Sequence, residues 1–286
     1  MTQLRIFVYN INEKVLMPEL PEVETIANEL RKAPIEGVTI TSAEIAWKRT
    51  LATPKLEDFL KNIRSKTILS VGRRGKFLYF RLSESYTLFV HLRMTGRFSF
   101  KSGEHVRASL HLQDGRVLYY HDTRKFGRWF FVQDEMQVIG KLGPEPLDPH
   151  LTLKDFARSL HRFRRQLKPL LLDQTFLAGL GNIYVDEALW KAKLHPQRLA
   201  STISPSEAKA LLKAIRHVLE RGLAARGTTL GKGKANFYRL DGNRGSHQDV
   251  LYVFRRTGLP CPRCGNPIVR KVIAQRSTHF CPSCQS

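Results

Sequence analysis

The four cysteines of this 286-residue chain are the side chains whose spacing predicts a chemistry most directly. They form two Cys-x-x-Cys pairs, Cys261 with Cys264 and Cys281 with Cys284, and 16 residues separate the pairs. Each pair can place two thiolates on one tight turn, and two pairs complete the tetrahedral ligand set that zinc prefers. Because four protein ligands leave no open position on the metal, we expect one structural zinc ion. A disulfide pair and four free thiols are the alternatives, and both fit this spacing poorly.

The charge of the chain indicates an anionic partner. Lysine and arginine number 47 against 25 aspartates and glutamates, which gives a net charge of +22 and a pI near 10.2. Such an excess is usually kept for a polyanion, so we expect nucleic acid first and an anionic membrane surface second. The membrane alternative is weak, because the sequence has neither a spanning apolar run nor an amphipathic anchor. Cysteines confined to one local cluster also favour a reducing compartment over a secreted disulfide scaffold.

Hydrophobic patterns define the elements that must position these groups. Residues 18–33 are predicted to form a helix, because apolar residues recur there at helical spacing and Pro21 suits a first turn. Between about residues 39 and 132 the pattern changes to short apolar segments separated by turns such as Asp114-Gly115. One helical segment near 54–63 interrupts them. This half of the chain therefore predicts a β-sandwich that follows a helix.

The second half of the chain has a helical pattern. Residues 140–151 are rich in Gly and Pro and are predicted to link the two halves. The last helix is predicted to begin with Ser204 as N-cap, Pro205 at the first position and Glu207 at the third. Residues 227–249 are rich in glycine and polar residues and predict a loop. The predicted helices span about 152–160, 165–173, 182–191 and 204–225.

The run Met17-Pro18-Glu19-Leu20-Pro21-Glu22-Val23-Glu24 resembles the N-terminus of formamidopyrimidine-DNA glycosylases, bacterial enzymes that remove 8-oxoguanine and ring-opened purines. The resemblance continues downstream in the expected order and covers residues 17–286. The similar segments are GRRGKFL at 72–78, HLRMTG at 91–96, HDTRKFGRW at 121–129, LGPEPL at 142–147, GLGNIYVDEAL at 179–189, RGTTL at 226–230 and the cysteine segment with QRSTHFCPSC at 275–284.

The resemblance implies an α+β multidomain fold: an N-terminal β-sandwich with flanking helices, a helix–two-turn–helix module and a C-terminal zinc-finger β-hairpin. It implies base-excision repair by a monomeric, bifunctional glycosylase and abasic-site lyase in the bacterial cytoplasm. The partner is double-stranded DNA that contains oxidised purines. The expected domains are an extension at 1–17, a catalytic domain at 18–139, a linker at 140–151, a helical DNA-binding domain at 152–249 with a lesion-capping loop at 227–249, and a zinc finger at 250–286.

Four catalytic residues are implied by the resemblance. Pro18 is the nucleophile, Glu19 the general acid and base, Lys76 a contact to the lesion-site phosphate that assists β-elimination, and Arg276 the phosphate grip that assists the second elimination. An amine that attacks C1′ of the sugar displaces the base and forms an imine, which acidifies the neighbouring proton and permits loss of the phosphate. Inside a chain the nitrogen of proline is a tertiary amide without this reactivity, so Pro18 must be the first residue.

The resemblance also assigns residues to DNA binding. A flipped base leaves a gap, and Met94, Arg124 and Phe126 are similar to the family's three void fillers. Asn182 begins a helix after two glycines, where its side chain and the free amides suit a phosphate. The DNA backbone is the expected contact of three further residues, His105, Arg164 and Lys168.

Three matters stay open at the level of sequence. The first sixteen residues lack the features of a signal peptide, although LRIFVY could form a strand; an incorrect upstream start or removal of the extension explains them best. If the extension is retained, a non-catalytic zinc-finger DNA-binding protein is the alternative function. A second alternative function is that of an endonuclease VIII-like enzyme that removes oxidised pyrimidines. The sequence departs from the family pattern at Arg93, Thr123 and Lys125, and arginines replace lysines in RFRRQLK at 162–168.

Overall fold

The computed structural model describes residues 17–231 and 235–286. Residues 1–16 of the predicted extension and residues 232–234 of the predicted 227–249 loop lie outside the described residues. Helix α1 (Leu20–Lys32) comes first and confirms the helix predicted at 18–33. At the start of α1, the Glu22 carboxylate accepts a hydrogen bond from the Glu19 amide at 2.8 Å. Pro21 lies in the first turn, where it favours the same helix start.

Two sheets follow α1 and confirm the predicted β-sandwich. One sheet has the strand order β2-β9-β5-β4-β3 and the other β1-β7-β8-β6, and only the β2–β9 pair is parallel. Large aromatic residues fill the space between them; Phe98, Tyr120 and Trp129 are buried and in mutual ring contact. The elements are β1 (Ile40–Glu44), β2 (Leu51–Thr53), α2 (Leu56–Ile63), β3 (Ile68–Arg74), β4 (Phe77–Leu82), β5 (Thr87–His91), β6 (Gly96–Ser99), β7 (Val106–Leu112), β8 (Val117–Asp122), β9 (Arg128–Val132) and α3 (Met136–Ile139).

The second half of the chain forms a helical domain. The predicted capping box is present, because Glu207 N donates to Ser204 Oγ and Ser204 N donates to the Glu207 carboxylate. The helix predicted at 165–173 is shorter, because Gln166 is extended and forms a bridge with Leu199. The helices are α4 (Leu153–His161), α5 (Leu167–Leu171), α6 (Asn182–Lys191) and α7 (Pro205–Ala224).

The C-terminal segment forms a two-stranded hairpin of β10 (Val269–Ile273) and β11 (Arg276–Phe280). Ala274 and Gln275 connect the strands, and both have positive φ, 47° and 61°. Two residues in the left-handed region match the twist of antiparallel strands, which makes this a tight and well-defined turn. Arg276 therefore stands at the first position after the turn.

Helix α1 belongs to the cores of both domains. Leu20 packs in the helical-domain core, whereas Val23, Ile26 and Leu30 pack against the sandwich. A second connection comes from the loop that follows α7, where Phe237, which is 2% exposed, packs in the sandwich core. The two domains are therefore joined by shared hydrophobic packing as well as by the chain.

The predicted linker is anchored to the sandwich. Arg73, at the end of β3, makes two hydrogen bonds of 2.7 Å to the Glu145 carboxylate. Arg74 donates to the carbonyl of Gly143 at 2.6 Å, and Arg73 also pairs with Glu24 of α1. The Arg73 side chain is 7% exposed, so these bonds are formed out of water. No helix among residues 17–231 and 235–286 is long and apolar enough to span a membrane.

Replacement of Arg73 tests this anchor. We expect Arg73→Met to lower the free energy of unfolding by about 3–5 kcal/mol, because the Glu145 carboxylate, whose side chain is only 16% exposed, loses its main partner. The matched control is Arg81→Met, which removes a pair with Glu135 whose arginine is 52% exposed. An exposed pair contributes less than about 1 kcal/mol. Urea unfolding measures both variants, and equal losses for the two would contradict the anchoring role.

Candidate active site and metal centre

The Glu19 carboxylate lies on the N-terminus of α6. It accepts hydrogen bonds from the amides of Gly181 at 2.6 Å, Ile183 at 2.9 Å and Tyr184 at 3.4 Å. These amides have no partner within the helix, and the helix dipole adds a positive potential there, so the position suits an anion. A Cβ on Gly181 would lie 2.4 Å from Cδ of Glu19, which explains why this position is a glycine. Glu19 is 2% exposed, and Pro18 beside it is also buried.

The protonation of Glu19 is balanced near neutrality. The pKa of Glu19 is raised to about 7, mainly by burial. The charge of Lys76 lowers this pKa and the nearby Glu22 carboxylate raises it, and the value of about 7 includes both effects. A carboxyl group with a pKa near 7 is present in both protonation states at neutral pH. Glu19 can therefore both donate and accept a proton.

Lys76 brings a third catalytic candidate to the same place. It follows Gly75 in the turn between β3 and β4 and is 8% exposed. Burial lowers its pKa, the charges of Glu19 and Glu22 oppose this, and Arg276 and Arg93 lower it again. Within the two described ranges, no hydrogen bond or ion pair occupies its ammonium group. The group is thus buried, basic and available to a substrate.

Arg276 is exposed on a hairpin that is bonded to α6. The Asp186 carboxylate accepts a hydrogen bond from the His279 amide at 2.8 Å, and Nδ1 of the His279 ring lies 3.2 Å from the same carboxylate oxygen. These contacts hold β11 against α6. Asn182 Nδ2 donates to the Ser277 carbonyl at 2.8 Å. Arg276 is close enough to Lys76 for its charge to lower the pKa of Lys76. The predicted residues Pro18, Glu19, Lys76 and Arg276 thus lie in one region of the structure.

Lys168 and Asn182 differ from the other predicted DNA contacts in their surroundings. Lys168 is fully buried, and its Nζ donates to Asp186 at 2.5 Å and to the Ser277 carbonyl at 3.0 Å. A direct contact between Lys168 and a phosphate would require this ion pair to open. The Oδ1 of Asn182 is buried and has no partner among the described residues.

The three predicted void fillers lie on two turns that one carboxylate joins. Met94 is in the β5–β6 turn, and Arg124 and Phe126 are in the β8–β9 turn. Asp122 accepts the Thr95 hydroxyl at 2.5 Å and the Gly127 amide at 2.7 Å, which couples the turns. Phe126 is 47% exposed, and the Arg124 guanidinium lies 5.0 Å from its ring centre.

Three of the departures from the family pattern, Arg93, Thr123 and Lys125, fall in these turns, whereas the arginines at 162–168 do not. Arg93 has φ of 54° and Lys125 has φ of 60°, in the left-handed region that favours glycine. The turn keeps this conformation with an arginine at 93, at a cost on the order of 1 kcal/mol. Nothing in the structure explains Thr123. The two remaining DNA-backbone candidates, a half-exposed His105 and an exposed Arg164, lie on other loops.

Sequence reasoning missed a buried group of polar side chains beside Glu19. Glu22 stands in the sequence only as part of the run 17–24, but in the structure it is 1% exposed and its carboxylate bonds Tyr184 and Thr228. His247, 2% exposed, lies next to Thr228. His91 is buried near Lys76, and burial with the charges of Arg93 and Lys76 lowers its pKa to about 3. Burial of these polar residues has no signature in local spacing.

The four cysteines form the predicted metal centre. Their Sγ atoms all lie within 4.8 Å of one another, with Cys264 to Cys281 at 3.5 Å and Cys261 to Cys284 at 4.0 Å. Tetrahedral zinc with bonds of about 2.3 Å requires sulfur separations of about 3.8 Å, so the geometry fits one zinc ion. Trp190 of α6 donates to Cys261 Sγ at 3.3 Å, which joins this centre to the helix that holds Glu19.

Comparison with known proteins gives a consistent result along the chain. Family models match for the formamidopyrimidine-DNA glycosylase N-terminal domain at residues 17–129, its H2TH domain at 142–233 and the zinc finger found in FPG and IleRS at 258–286. A formamidopyrimidine-DNA glycosylase of Protochlamydia amoebophila is 51% identical over 274 residues, 94% of this chain and 99% of that protein.

Two solved structures share the fold. The MutM (FPG) protein from Thermus thermophilus aligns with a TM-score of 0.86 and 42% identity, over 94% of this chain and 98% of the other. A mutant FPG of Lactococcus lactis in complex with Fapy-dG-containing DNA aligns with a TM-score of 0.86 and 36% identity, over 94% and 100% of the two chains. The predicted combination of sandwich, helix–two-turn–helix module and zinc-finger hairpin is confirmed.

Removal of zinc tests the contact between the metal centre and α6. We expect chelation to change the fluorescence of Trp190, because its indole N–H donates to a zinc-ligating sulfur. Trp190→Phe is the control: the other two tryptophans, Trp47 and Trp129, still emit in this variant, but the change on chelation is lost. Emission that stays constant while the metal is shown to leave would contradict the assigned contact.

Proposed function

Since this chain belongs to the formamidopyrimidine-DNA glycosylase family, we propose that Pro18 and Glu19 carry out its chemistry on oxidised purines. The family acts in base-excision repair as a DNA glycosylase that also has abasic-site lyase activity. Its DNA partner carries the lesion. The observation that supports the residue assignment best is the buried Glu19 carboxylate on the α6 amides, next to Pro18 and in range of the Lys76 charge.

The first step replaces the bond between base and sugar. The neutral amine of Pro18 donates its lone pair to C1′, and the bond between C1′ and the base nitrogen breaks. Glu19 delivers one proton to the departing base or to the ring oxygen, and the proton lost from the Pro18 nitrogen goes to the other of these two atoms. The sugar then opens to a cationic iminium on Pro18. The base leaves as a neutral molecule, and the deoxyribose stays covalently bound to the enzyme.

The second step breaks the strand. The iminium acidifies the proton at C2′, and a base removes this proton to give an enamine. The enamine then expels the 3′ phosphate and becomes a conjugated iminium. A second elimination releases the 5′ phosphate in the same way. Lys76 and Arg276 are the cations that neutralise these phosphates, since they approach the site from β3–β4 and from the zinc hairpin. Zinc holds that hairpin and takes no part in the bond changes.

The nucleophile requires a free N-terminus at Pro18. In the sequence as given, Met17 precedes it, and an amide nitrogen has no lone pair available for attack. We propose that the working enzyme lacks residues 1–17. The family-model match begins at Met17, and 94% of this chain matches 99% of the Protochlamydia amoebophila relative, which support this proposal.

The remaining assignments concern the DNA. Phe126 and Met94 fill the gap left by the flipped base, and Arg124 reads the orphaned cytosine. The exposed ring of Phe126 supports this, because it stands on a turn that the bond from the Gly127 amide to Asp122 holds in place. Asn182 binds phosphate at the α6 N-terminus. His105 and Arg164 contact the backbone, while Lys168 acts on DNA only through the buried pair that holds β11. The proposed loop over the base spans 227–249.

The domain limits and location complete the proposal. The catalytic domain is 18–139, the linker 140–151, the helical DNA-binding domain 152–249 and the zinc finger 250–286. The protein works as a monomer on the DNA of a bacterial cytoplasm. The bacterial source of the matched relatives and the cysteines confined to the zinc centre support this location.

Borohydride trapping on an 8-oxoguanine duplex tests Pro18. A chain expressed from Met17, whose initiator Met is removed, is expected to form a covalent adduct with the DNA. A chain whose residues 1–17 are retained, verified by intact mass, is expected to give none, because its Pro18 nitrogen is an amide. Equal trapping by both forms would disprove the role of Pro18, and no trapping by either would disprove the lyase assignment.

The pH profile of base excision tests Glu19. We expect a bell shape in single-turnover assays: the acid limb follows deprotonation of the Pro18 amine, and the alkaline limb follows loss of the Glu19 proton, whose pKa is about 7. Glu19→Gln is expected to slow excision by about 100-fold or more and to lose the alkaline limb. The exposed Glu220→Gln is the control and keeps the wild-type profile. An alkaline limb that persists in Glu19→Gln belongs to another group.

A further inference from the structure

The two turns that carry the predicted void fillers lie side by side at one end of the sandwich. The β5–β6 turn, with Met94, passes from the five-stranded sheet to the four-stranded sheet. The β8–β9 turn, with Arg124 and Phe126, passes back in the opposite direction. Because β5 pairs with β9 and β6 pairs with β8, the two turns are neighbours where they cross between the sheets.

The Thr95 hydroxyl connects the two turns. It donates to Asp122 Oδ1 at 2.5 Å, and its oxygen accepts the Arg124 amide at 3.1 Å. A carboxylate can only accept, so the single proton of Thr95 goes to Asp122 and its lone pairs are left for the Arg124 amide. Among the described residues, every side-chain hydrogen bond between residues 92–95 and residues 122–127 involves Thr95.

Burial of Asp122 gives these bonds their strength. Asp122 is 1% exposed, its Oδ2 accepts the Gly127 amide at 2.7 Å, and its Oδ1 lies 3.2 Å from the Arg124 amide. Hydrogen bonds to a buried carboxylate are stronger than bonds between neutral groups, and a lost donor leaves the charge without compensation. The amides on both sides of Phe126 are therefore held by the same carboxylate that holds Thr95.

The ring of Tyr120 lies beneath both turns. Its hydroxyl occupies the space that a side chain at Gly96 or at Gly127 would need, so the last residue of each turn packs on the same ring. Tyr120 is itself fully buried in the sandwich core. The two turns thus share a rigid support at their base, and Thr95 joins them nearer to their tips.

We propose that Thr95 is a positioning residue that makes the two turns act as one unit when Met94, Arg124 and Phe126 replace an extruded base. The proposal rests on the proposed function, because it takes the roles of these three residues from it. Arg124 can select cytosine only while its turn is fixed against the turn of Met94. Thr95 therefore contributes to the discrimination between cytosine and adenine opposite the lesion, and not to the bond changes at Pro18.

The first test measures single-turnover excision of 8-oxoguanine opposite cytosine and opposite adenine, using the chain expressed from Met17. Thr95→Val keeps the shape of the side chain without the hydroxyl and is expected to lower the ratio of the two rates about fivefold, since a hydrogen bond to a carboxylate is lost. Thr95→Ser keeps the hydroxyl and is expected to retain the wild-type ratio. Thr123→Val is the matched control, because it makes the same change at an exposed threonine of the β8–β9 turn.

A double-mutant cycle tests directly whether the turns act as one unit. Met94→Ala and Phe126→Ala each remove one side chain, from different turns. With Thr95 present, we expect the rate loss of the double variant to differ by about threefold or more from the product of the two single losses, because the side chains share one support. In the Thr95→Val background, we expect the loss to equal that product.

The outcomes separate this proposal from the proposed function. Borohydride trapping on an abasic duplex is expected to be unchanged in Thr95→Val, which verifies that this variant folds. An unchanged rate ratio, a loss of trapping, or coupling of Met94 to Phe126 that persists in Thr95→Val would overturn the positioning role. A wild-type ratio in Arg124→Ala would instead overturn the role proposed for Arg124, and failure of the wild-type chain to form an adduct would overturn the lyase assignment.

Discussion

The contact between the Glu19 carboxylate and the first amides of α6 is the constraint on which the rest of the site depends. The same helix holds the other parts of the site at successive positions. Asp186 bonds the zinc hairpin, Glu187 accepts three consecutive amides at residues 252–254, and Trp190 contacts a metal ligand. A shift of this ten-residue helix would move the acid, the hairpin arginine and the metal centre together.

Burial is the main cause of the shifted pKa values in this site. Glu19, Glu22 and Lys76 are each less than 9% exposed, and removal from water disfavours the charged form of every one of them. The charge of Lys76 opposes this effect at Glu19, and the charges of the two glutamates oppose it at Lys76, but only in part. A solvated glutamate would stay ionised and a solvated lysine protonated at neutral pH. The fold thus raises the pKa of Glu19 to about 7, raises that of Glu22 and lowers that of Lys76.

Local chemistry decided how much could be predicted from the sequence. The spacing of the cysteines predicted the metal centre, and the helical spacing of apolar residues predicted α1. The residue types at Ser204, Pro205 and Glu207 predicted the capping box, and the order of the motifs predicted the family. Contacts between distant segments were not predictable: Glu145 bound to Arg73, Lys168 buried against Asp186, and His247 joined to Glu22 are separated by 18 to 225 residues. Such pairs arise from tertiary packing, which short-range periodicity does not encode.

The division of α1 between two cores determines when Glu19 can reach its amide donors on α6. This helix is the first described element to leave the ribosome, yet Leu20 finds its contacts at Gly179 and beyond, about 160 residues later. Domains generally fold in order of synthesis. The sandwich face of α1 can dock early, whereas Glu19 receives its amide donors only when α6 has formed. The Glu19 carboxylate therefore stays without these donors through most of translation and gains them only after α6 has been synthesised.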